Sequence, residues 1–145
     1  MPKILEAKIR ITSKIENLDE AGIPSGDPER TETEIAGFYY IDGENYRLTY
    51  LEESEGGKIS SEVLSSGDVV CVRRRGAICS DFEFVKGVPH SSMYAMGQYK
   101  FDVKILPRRV DSALSESGGT IDLLYNMSIG GADKAVRMKI WIQTN

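Results

Sequence analysis

Residues that build metal centres and catalytic sites are scarce in this sequence. The chain of 145 residues has two cysteines and one histidine, too few thiolate and imidazole ligands for a zinc site of the usual kind. Cys71 and Cys79 do not form a C-x-x-C motif, and no serine stands in a G-x-S-x-G motif. His90 precedes Ser91 and Ser92, but adjacency in sequence does not make a catalytic triad. We therefore expect no metal, no cofactor and no enzymatic activity.

Long apolar segments and an excess of positive charge are missing as well. The N-terminal part has no apolar run of signal-peptide length, and no later segment is long enough to span a membrane. Lysine and arginine number 18 against 22 aspartates and glutamates, a net charge of -4, whereas general nucleic-acid binders usually carry a dominant basic surface. We therefore expect a cytoplasmic protein with reduced thiols that binds neither nucleic acid nor membranes.

Helical periodicity is rare, and an alternation with a period of two takes its place. Near the N-terminus Leu5, Ala7 and Ile9 share one face, while Lys8 and Arg10 share the other, which is the pattern of a half-buried strand. Similar segments separated by turns predict about eight to ten antiparallel strands. Their meander order predicts one all-β domain over residues 1–145, an up-and-down barrel that leaves no sheet edge exposed.

Two segments interrupt the alternation and are predicted as loops. Residues 16–29 combine acidic residues with glycine and proline, which predicts a mobile loop. Residues 107–119, with the sequence PRRVDSALSESGG, predict a second loop.

The alternation also assigns residues to the interior of the barrel. Three segments in the C-terminal third supply them: Tyr99, Phe101, Val103 and Ile105; Ile121, Leu123, Tyr125, Met127 and Ile129; and Val136, Met138, Ile140 and Ile142. A barrel of about eight strands has room either for a packed core or for one small ligand. The sequence therefore leaves two classes of function open, a ligand-binding barrel and a structural or protein-interaction barrel with a filled core.

Several motifs in a fixed order resemble a known family. GFYY with RLTYLEE, then VRRRGA with FVKG, then GTIDLLYNMSI occur between about Gly37 and the C-terminus. In order and spacing they resemble the YwiB-like proteins, bacterial β-barrels of unknown function. The resemblance implies a calycin-like, lipocalin-type barrel, and it implies no particular reaction because a fold alone does not carry a function.

The stretch VVCVRRRG brings a positive charge onto an apolar face. Val70, Val72 and Arg74 alternate onto one side of this strand, and Arg73 and Arg75 onto the other. A buried guanidinium is too costly to leave unpaired, so an interior Arg74 needs an anion or several acceptors. The resemblance adds that the family has an arginine at this place, and that calycin barrels that bind fatty acids hold the carboxylate with interior arginines.

Three interpretations of Arg74 remain open at this point. It anchors a ligand anion, or it closes the end of the barrel by bonding carbonyls and a carboxylate, or the strand has ended and all three arginines are solvated. Glu52 shares a face with Leu48 and Tyr50 and is the predicted partner of Arg74, because an opposite charge keeps both groups ionised. The alternative for Glu52 is an acid at a strand end in water.

Tyrosines complete the predicted ligand site. Tyr50, Tyr99 and Tyr125 join Arg74 and Glu52 as predicted ligand-binding residues, since a buried tyrosine offers an apolar ring and a polar hydroxyl. Aromatic residues in strands otherwise serve cross-strand packing. The predicted function is non-catalytic binding of a small, partly apolar ligand, which is an anion if Arg74 is its anchor.

The single tryptophan points to a contact outside the barrel. Trp141 lies with Arg137 and Lys139 on the outer face of the last predicted strand. We predict that it contacts another chain or a folded-back loop, and the sequence leaves both a monomer and a homodimer open.

Overall fold

The computed structural model describes residues 2–144, and the regular structure in them is all β-strand. The ten strands are β1 (Lys3–Leu18), β2 (Pro24–Asp42), β3 (Asn45–Ser54), β4 (Gly57–Ser66), β5 (Val69–Gly76), β6 (Ile78–Val85), β7 (His90–Met96), β8 (Tyr99–Ser115), β9 (Gly118–Ile129) and β10 (Ala132–Thr144). Residues 2–144 contain no helix with the length and hydropathy needed to cross a membrane.

The strands form one closed antiparallel barrel. Each strand pairs with the strand that precedes it in the chain, and β1 also pairs with β10, which closes the sheet. Gly43 and Gly67, at φ of 63° and 57°, form the turns after β2 and β4, in the left-handed conformation that glycine adopts most readily. The predicted all-β barrel with meander order is therefore confirmed.

Pairing is uneven around the barrel. β2 pairs with β1 along nearly its whole length but with β3 only over Gly37–Asp42. β6 pairs with β7 only over Ile78–Ser80. Residues 24–36 of β2 therefore have one unpaired edge. We call the end of the barrel that carries the β1–β2 turn the upper end; the tips of the β3–β4, β5–β6, β7–β8 and β9–β10 hairpins lie at the same end.

Both predicted loops are wrong. Residues 16–29 belong to β1 and β2 apart from the turn between them, and residues 107–119 belong to β8 and β9 apart from the turn at residues 116–117. The prolines mislead here because Pro28 lies in the bulged segment of β2, where the register against β1 shifts, and Pro107 lies at a register shift between β8 and β9. Proline is tolerated at such places because no regular ladder bond needs its missing N–H.

Strand alternation fills the interior with apolar side chains. The inward assignments for β9 and β10 are confirmed at Ile121, Leu123, Val136, Ile140 and Ile142, which are all buried. Burying a large apolar side chain contributes about 1.5–3 kcal/mol to stability, so these strands supply much of the driving force for folding.

The interior assignment of β8 is right only for part of the strand. Val103 and Ile105 are buried, as predicted, but Tyr99 is 58% exposed and Phe101 is 36% exposed. These two aromatic residues come at the start of β8, at the upper end of the barrel, where the surrounding strands no longer cover the inward face. Alternation gives the face of a side chain, and it does not give its height in the barrel.

Candidate functional site

A row of directly opposed residues crosses five strands near the upper end. Tyr50 on β3 pairs with Ser61 on β4, Ser61 with Arg74 on β5, Arg74 with Ser80 on β6, and Ser80 with Tyr94 on β7. Directly opposed side chains in an antiparallel sheet are neighbours on one face, with Cβ atoms about 4.5–5.5 Å apart. Two small serines therefore flank Arg74 and leave room for its guanidinium.

A cavity of about 390 Å³ lies against this row, and we call it the upper cavity. Its polar lining includes Arg74, Ser80, Tyr125 and Lys134, and within residues 2–144 no acidic side chain is among its lining residues. Its apolar wall is formed by Ile15, Val72, Phe82, Phe84, Tyr94, Met127, Ile129, Val136 and Met138. Ligand sites in proteins commonly measure about 300–1,000 Å³ and combine apolar walls with a few polar groups. The upper cavity has both properties.

Arg74 differs from the two arginines beside it. Arg73 and Arg75 are exposed and form ion pairs with Glu62 at 3.6 Å and Asp81 at 3.0 Å. The Nε atom of Arg74 is buried and has no hydrogen-bond partner within residues 2–144, and none of the ion pairs there includes this residue. The predicted inward direction of Arg74 is therefore confirmed. The alternative, that all three arginines are solvated, is right for Arg73 and Arg75 and wrong for Arg74.

Two tyrosine hydroxyls lie within electrostatic reach of Arg74. Burial raises the pKa of Tyr125 to about 12, with Arg74 lowering it in part. Burial also raises the pKa of Tyr50, and Arg74 again opposes the shift. Both phenols are therefore protonated at neutral pH and able to donate a hydrogen bond. A guanidinium beside two phenol donors is an environment that favours an anion.

Glu52 is not the partner of Arg74, so the predicted ion pair is wrong. Both side chains are on the inward face, on β3 and β5 with β4 between them, but no ion pair within residues 2–144 joins them. The carboxylate of Glu52 instead accepts a hydrogen bond from Ser61 Oγ at 3.4 Å. It is also one of the groups that raise the pKa of Tyr50. Glu52 thus supports the row of opposed residues from outside the upper cavity.

Tyr99, the remaining predicted site residue, lies apart from the upper cavity. It borders a shallow surface hollow between hairpin tips, together with Ala77 and Met96. His90 begins β7, and its Nε2 atom lies 3.3 Å from the backbone oxygen of Asp81. Of the predicted site residues, Arg74 and Tyr125 therefore line the upper cavity, Tyr50 lies in the row of opposed residues without lining it, and Tyr99 lies outside.

Sequence reasoning missed three residues of this region, Ser61, Ser80 and Lys134. Ser61 and Ser80 are 1% and 4% exposed, and Lys134 lines the upper cavity. Strand alternation could have identified two of them as inward-facing. Ser61 shares its face with Val63, and Lys134 shares its face with Val136. Serine and lysine at such positions are easily taken for surface residues.

A larger hollow of about 810 Å³ lies on the outer face around Trp141. Its charged residues are largely paired with one another or with neighbours, as in the ion pair of Lys14 with Glu16 and that of Arg137 with Asp122. Arg30 and Lys139 line this hollow without an ion pair within residues 2–144, but neither offers a buried donor that lacks a hydrogen-bond partner. The upper cavity, with an unpaired buried donor, is the better candidate site.

Trp141 itself is covered by one side chain of the neighbouring strand β1 and one of its own strand. The Arg10 guanidinium lies 4.7 Å from its ring centroid and the Lys139 ammonium 5.0 Å. Arg10 is the residue directly opposite on β1, so the predicted cover by a folded-back loop is wrong for the part of the chain described. The predicted contact with another chain stays a prediction.

Comparison with known proteins agrees with the resemblance seen in the sequence. The family model described as Domain of unknown function (DUF1934) matches residues 9–140. The Uncharacterized beta-barrel protein YwiB of Bacillus subtilis (strain 168) is 32% identical over 105 residues, which are 72% of this chain and 74% of that protein. The crystal structure of ywiB protein from Bacillus subtilis superposes with a TM-score of 0.85 at 28% identity, covering 98% of this chain and 93% of that chain.

Proposed function

The chain belongs to the family described as Domain of unknown function (DUF1934), an uncharacterised β-barrel family, and on that premise we propose that its barrel binds a small, partly apolar anion in the upper cavity without converting it. The proposal rests on the chemistry of this chain's own residues.

The observation that carries the proposal is the buried, unpartnered Nε of Arg74 beside the upper cavity. A buried donor without a partner costs about 1–3 kcal/mol, and more if the group is charged. An anion bound in the cavity would supply the missing acceptor. An arginine that served to close the barrel would instead be expected to bond carbonyls or a carboxylate within the protein.

The charge of the cavity supports an anionic ligand. The chain as a whole has a net charge of -4, yet the residues that line the upper cavity include Arg74 and Lys134 and no acid. A positive, partly desolvated pocket in a negative protein attracts anions and excludes cations. The guanidinium of Arg74 can take a carboxylate or phosphate in a bidentate geometry.

The walls of the cavity support a partly apolar ligand. Phe82, Phe84, Met127 and Met138 lie around the space next to Arg74. Methionine side chains are flexible and adapt to ligands of different shape. A linear or branched carboxylate with a hydrocarbon body would bury its chain against these residues, while Tyr125 and Ser80 offer hydroxyl groups to its head.

The volume weighs against the second candidate, a structural barrel with a filled core. A filled interior would leave no space of ligand size, and the upper cavity measures about 390 Å³.

We also propose that the protein is cytoplasmic. Both cysteines, Cys71 and Cys79, are free thiols, which is the usual state of cysteine in a reducing compartment.

Native mass spectrometry of freshly purified protein tests the proposal. We expect a bound mass on the wild-type chain that denaturation releases, a loss of that mass in Arg74→Met, and its retention in the control Arg73→Met. A wild-type chain without a bound mass, or a mass that Arg74→Met retains, would favour the filled structural barrel.

A further inference from the structure

A second cation shares the upper cavity with Arg74. Lys134 lies near the start of β10, on the face that continues through Val136 and Met138, and it lines the same cavity. Its pattern repeats that of β5, where Arg74 ends the face of Val70 and Val72. Two strands on different sides of the barrel therefore each end an apolar inward face with a positive charge at the upper end.

The two cations lie at different depths in the cavity. Val136 pairs with Tyr125, whose hydroxyl is within reach of the Arg74 charge, and Lys134 pairs with Met127. Two residues along a strand advance about 7 Å. Measured along β10, Lys134 is therefore about 7 Å closer to the upper end than Val136, the residue opposite Tyr125.

The charges around Lys134 leave it available to a ligand. Asp133 precedes it and alternates onto the outer face, while Asp19 and Glu20 of the β1–β2 turn border a neighbouring surface groove that Lys134 also lines. None of the ion pairs within residues 2–144 includes Lys134. On the cavity side, Arg74 is the other charged group in the lining, and it repels Lys134 instead of pairing with it.

From this arrangement we infer that the ligand is an elongated dianion with an anionic group at each end and an apolar middle. The inner group binds Arg74, the middle packs against Phe84, Met127 and Met138, and the outer group binds Lys134 at the mouth. An α,ω-dicarboxylate is the simplest molecule of this class. The inference rests on the proposed function, because it assigns the ligand class of the same cavity.

Calorimetric titration of decanoate and decanedioate separates one anionic end from two. We expect wild-type protein to bind decanedioate roughly tenfold more tightly than decanoate, because a charge-assisted hydrogen bond contributes about 1.5–3 kcal/mol and 1.4 kcal/mol is tenfold in affinity. Lys134→Met should remove that advantage, because it weakens decanedioate by more than it weakens decanoate. Arg74→Met should lower the affinity for both compounds.

Two further variants keep this experiment decisive. Lys134→Gln preserves a polar side chain and should behave like Lys134→Met. Agreement between the two variants would show that the effect comes from the lost charge and is not caused by a folding defect of one variant. Lys100→Met removes an exposed lysine of β8 that does not line the upper cavity, and it should keep the full preference for decanedioate. Two results would contradict the inference of a dianionic ligand: equal affinity of wild-type protein for decanoate and decanedioate, or a preference for decanedioate that Lys134→Met and Lys134→Gln retain. In either case the proposed anion site at Arg74 would still stand. If neither compound binds wild-type protein, both the dianion and the proposed function are wrong.

Discussion

Ser61 of β4 lies directly opposite Arg74 of β5, and its side chain is almost completely buried. Ser80 holds the equivalent position on the other side, on β6. A residue larger than serine at either place would compete with the guanidinium for the same interior volume. The small side chains beside Arg74 are therefore part of what makes the site possible.

Replacing Ser61 with leucine should destabilise the protein. The added carbons would crowd Arg74, and the loss of the hydroxyl would remove the hydrogen bond from Ser61 to Glu52. Overpacking at a closely packed position typically costs about 1–3 kcal/mol. Urea unfolding measures the free energy. The control is Ser60→Leu, which makes the same change at an exposed position on the same strand. Equal effects of the two replacements would mean that the space beside Arg74 is not constrained.

Arg74→Met should leave the free energy of unfolding unchanged or raise it by about 1–3 kcal/mol in protein stripped of ligand. Methionine removes a buried donor that has no partner, and such a donor costs about that much to bury. An ion pair with Glu52 would have given the opposite sign, because breaking a buried pair costs about 3–5 kcal/mol. Arg73→Met, at an exposed ion pair, should lower stability by only about 0–1 kcal/mol. A severe loss of stability in Arg74→Met, with little loss in Arg73→Met, would indicate that Arg74 has a partner within the protein that the structure does not contain.

Stability should fall at alkaline pH through Tyr125. Its pKa is raised from 10.0 to about 12 in the folded protein, so the unfolded chain releases this proton first as the pH rises. The contribution of Tyr125 to the free energy of unfolding is complete below pH 10 and is lost between about pH 10 and 12. A pKa shift of this size corresponds to roughly 2–3 kcal/mol. In Tyr125→Phe the alkaline decline, measured by urea unfolding across this range, should be shallower. If stability falls in Tyr125→Phe as steeply as in the wild type, the titration of Tyr125 does not cause the alkaline loss of stability.

Trp141 should report its cover by Arg10. The Arg10 guanidinium over the indole ring shields one face from water, and an exposed cation–π contact of this kind contributes about 0.5–1 kcal/mol. Arg10→Ala should shift the fluorescence emission to longer wavelength and increase quenching by acrylamide. Unchanged emission and quenching in a monomeric protein would show that something other than Arg10 covers the ring.

Alternation predicted the barrel because it reports directly which face of a strand meets the core. The same rule brought Arg74 to the interior, since its parity with Val70 and Val72 survives in the fold. It failed at Tyr99, because parity says nothing about height along the barrel. It failed again for the pair with Glu52, because parity does not count the strands between two residues.

The prolines and serines show a second limit of sequence reasoning. Pro28 and Pro107 read as loop residues, yet each occupies an irregularity in a strand whose position depends on the neighbouring chain. Ser61 and Lys134 were not among the predicted site residues, although strand alternation puts each on the same face as a buried valine. Their role became visible only when the closed barrel set them around Arg74 and the upper cavity.

The central claim is that Arg74 binds the anionic head of a partly apolar ligand, and calorimetric titration of decanoate and n-decanol tests it most directly. We expect wild-type protein to bind decanoate well and decanol weakly, and we expect Arg74→Met to lose the preference for decanoate while Arg73→Met keeps it. Equal affinity of wild-type protein and Arg74→Met for decanoate, or no binding of decanoate by wild-type protein, would contradict the claim.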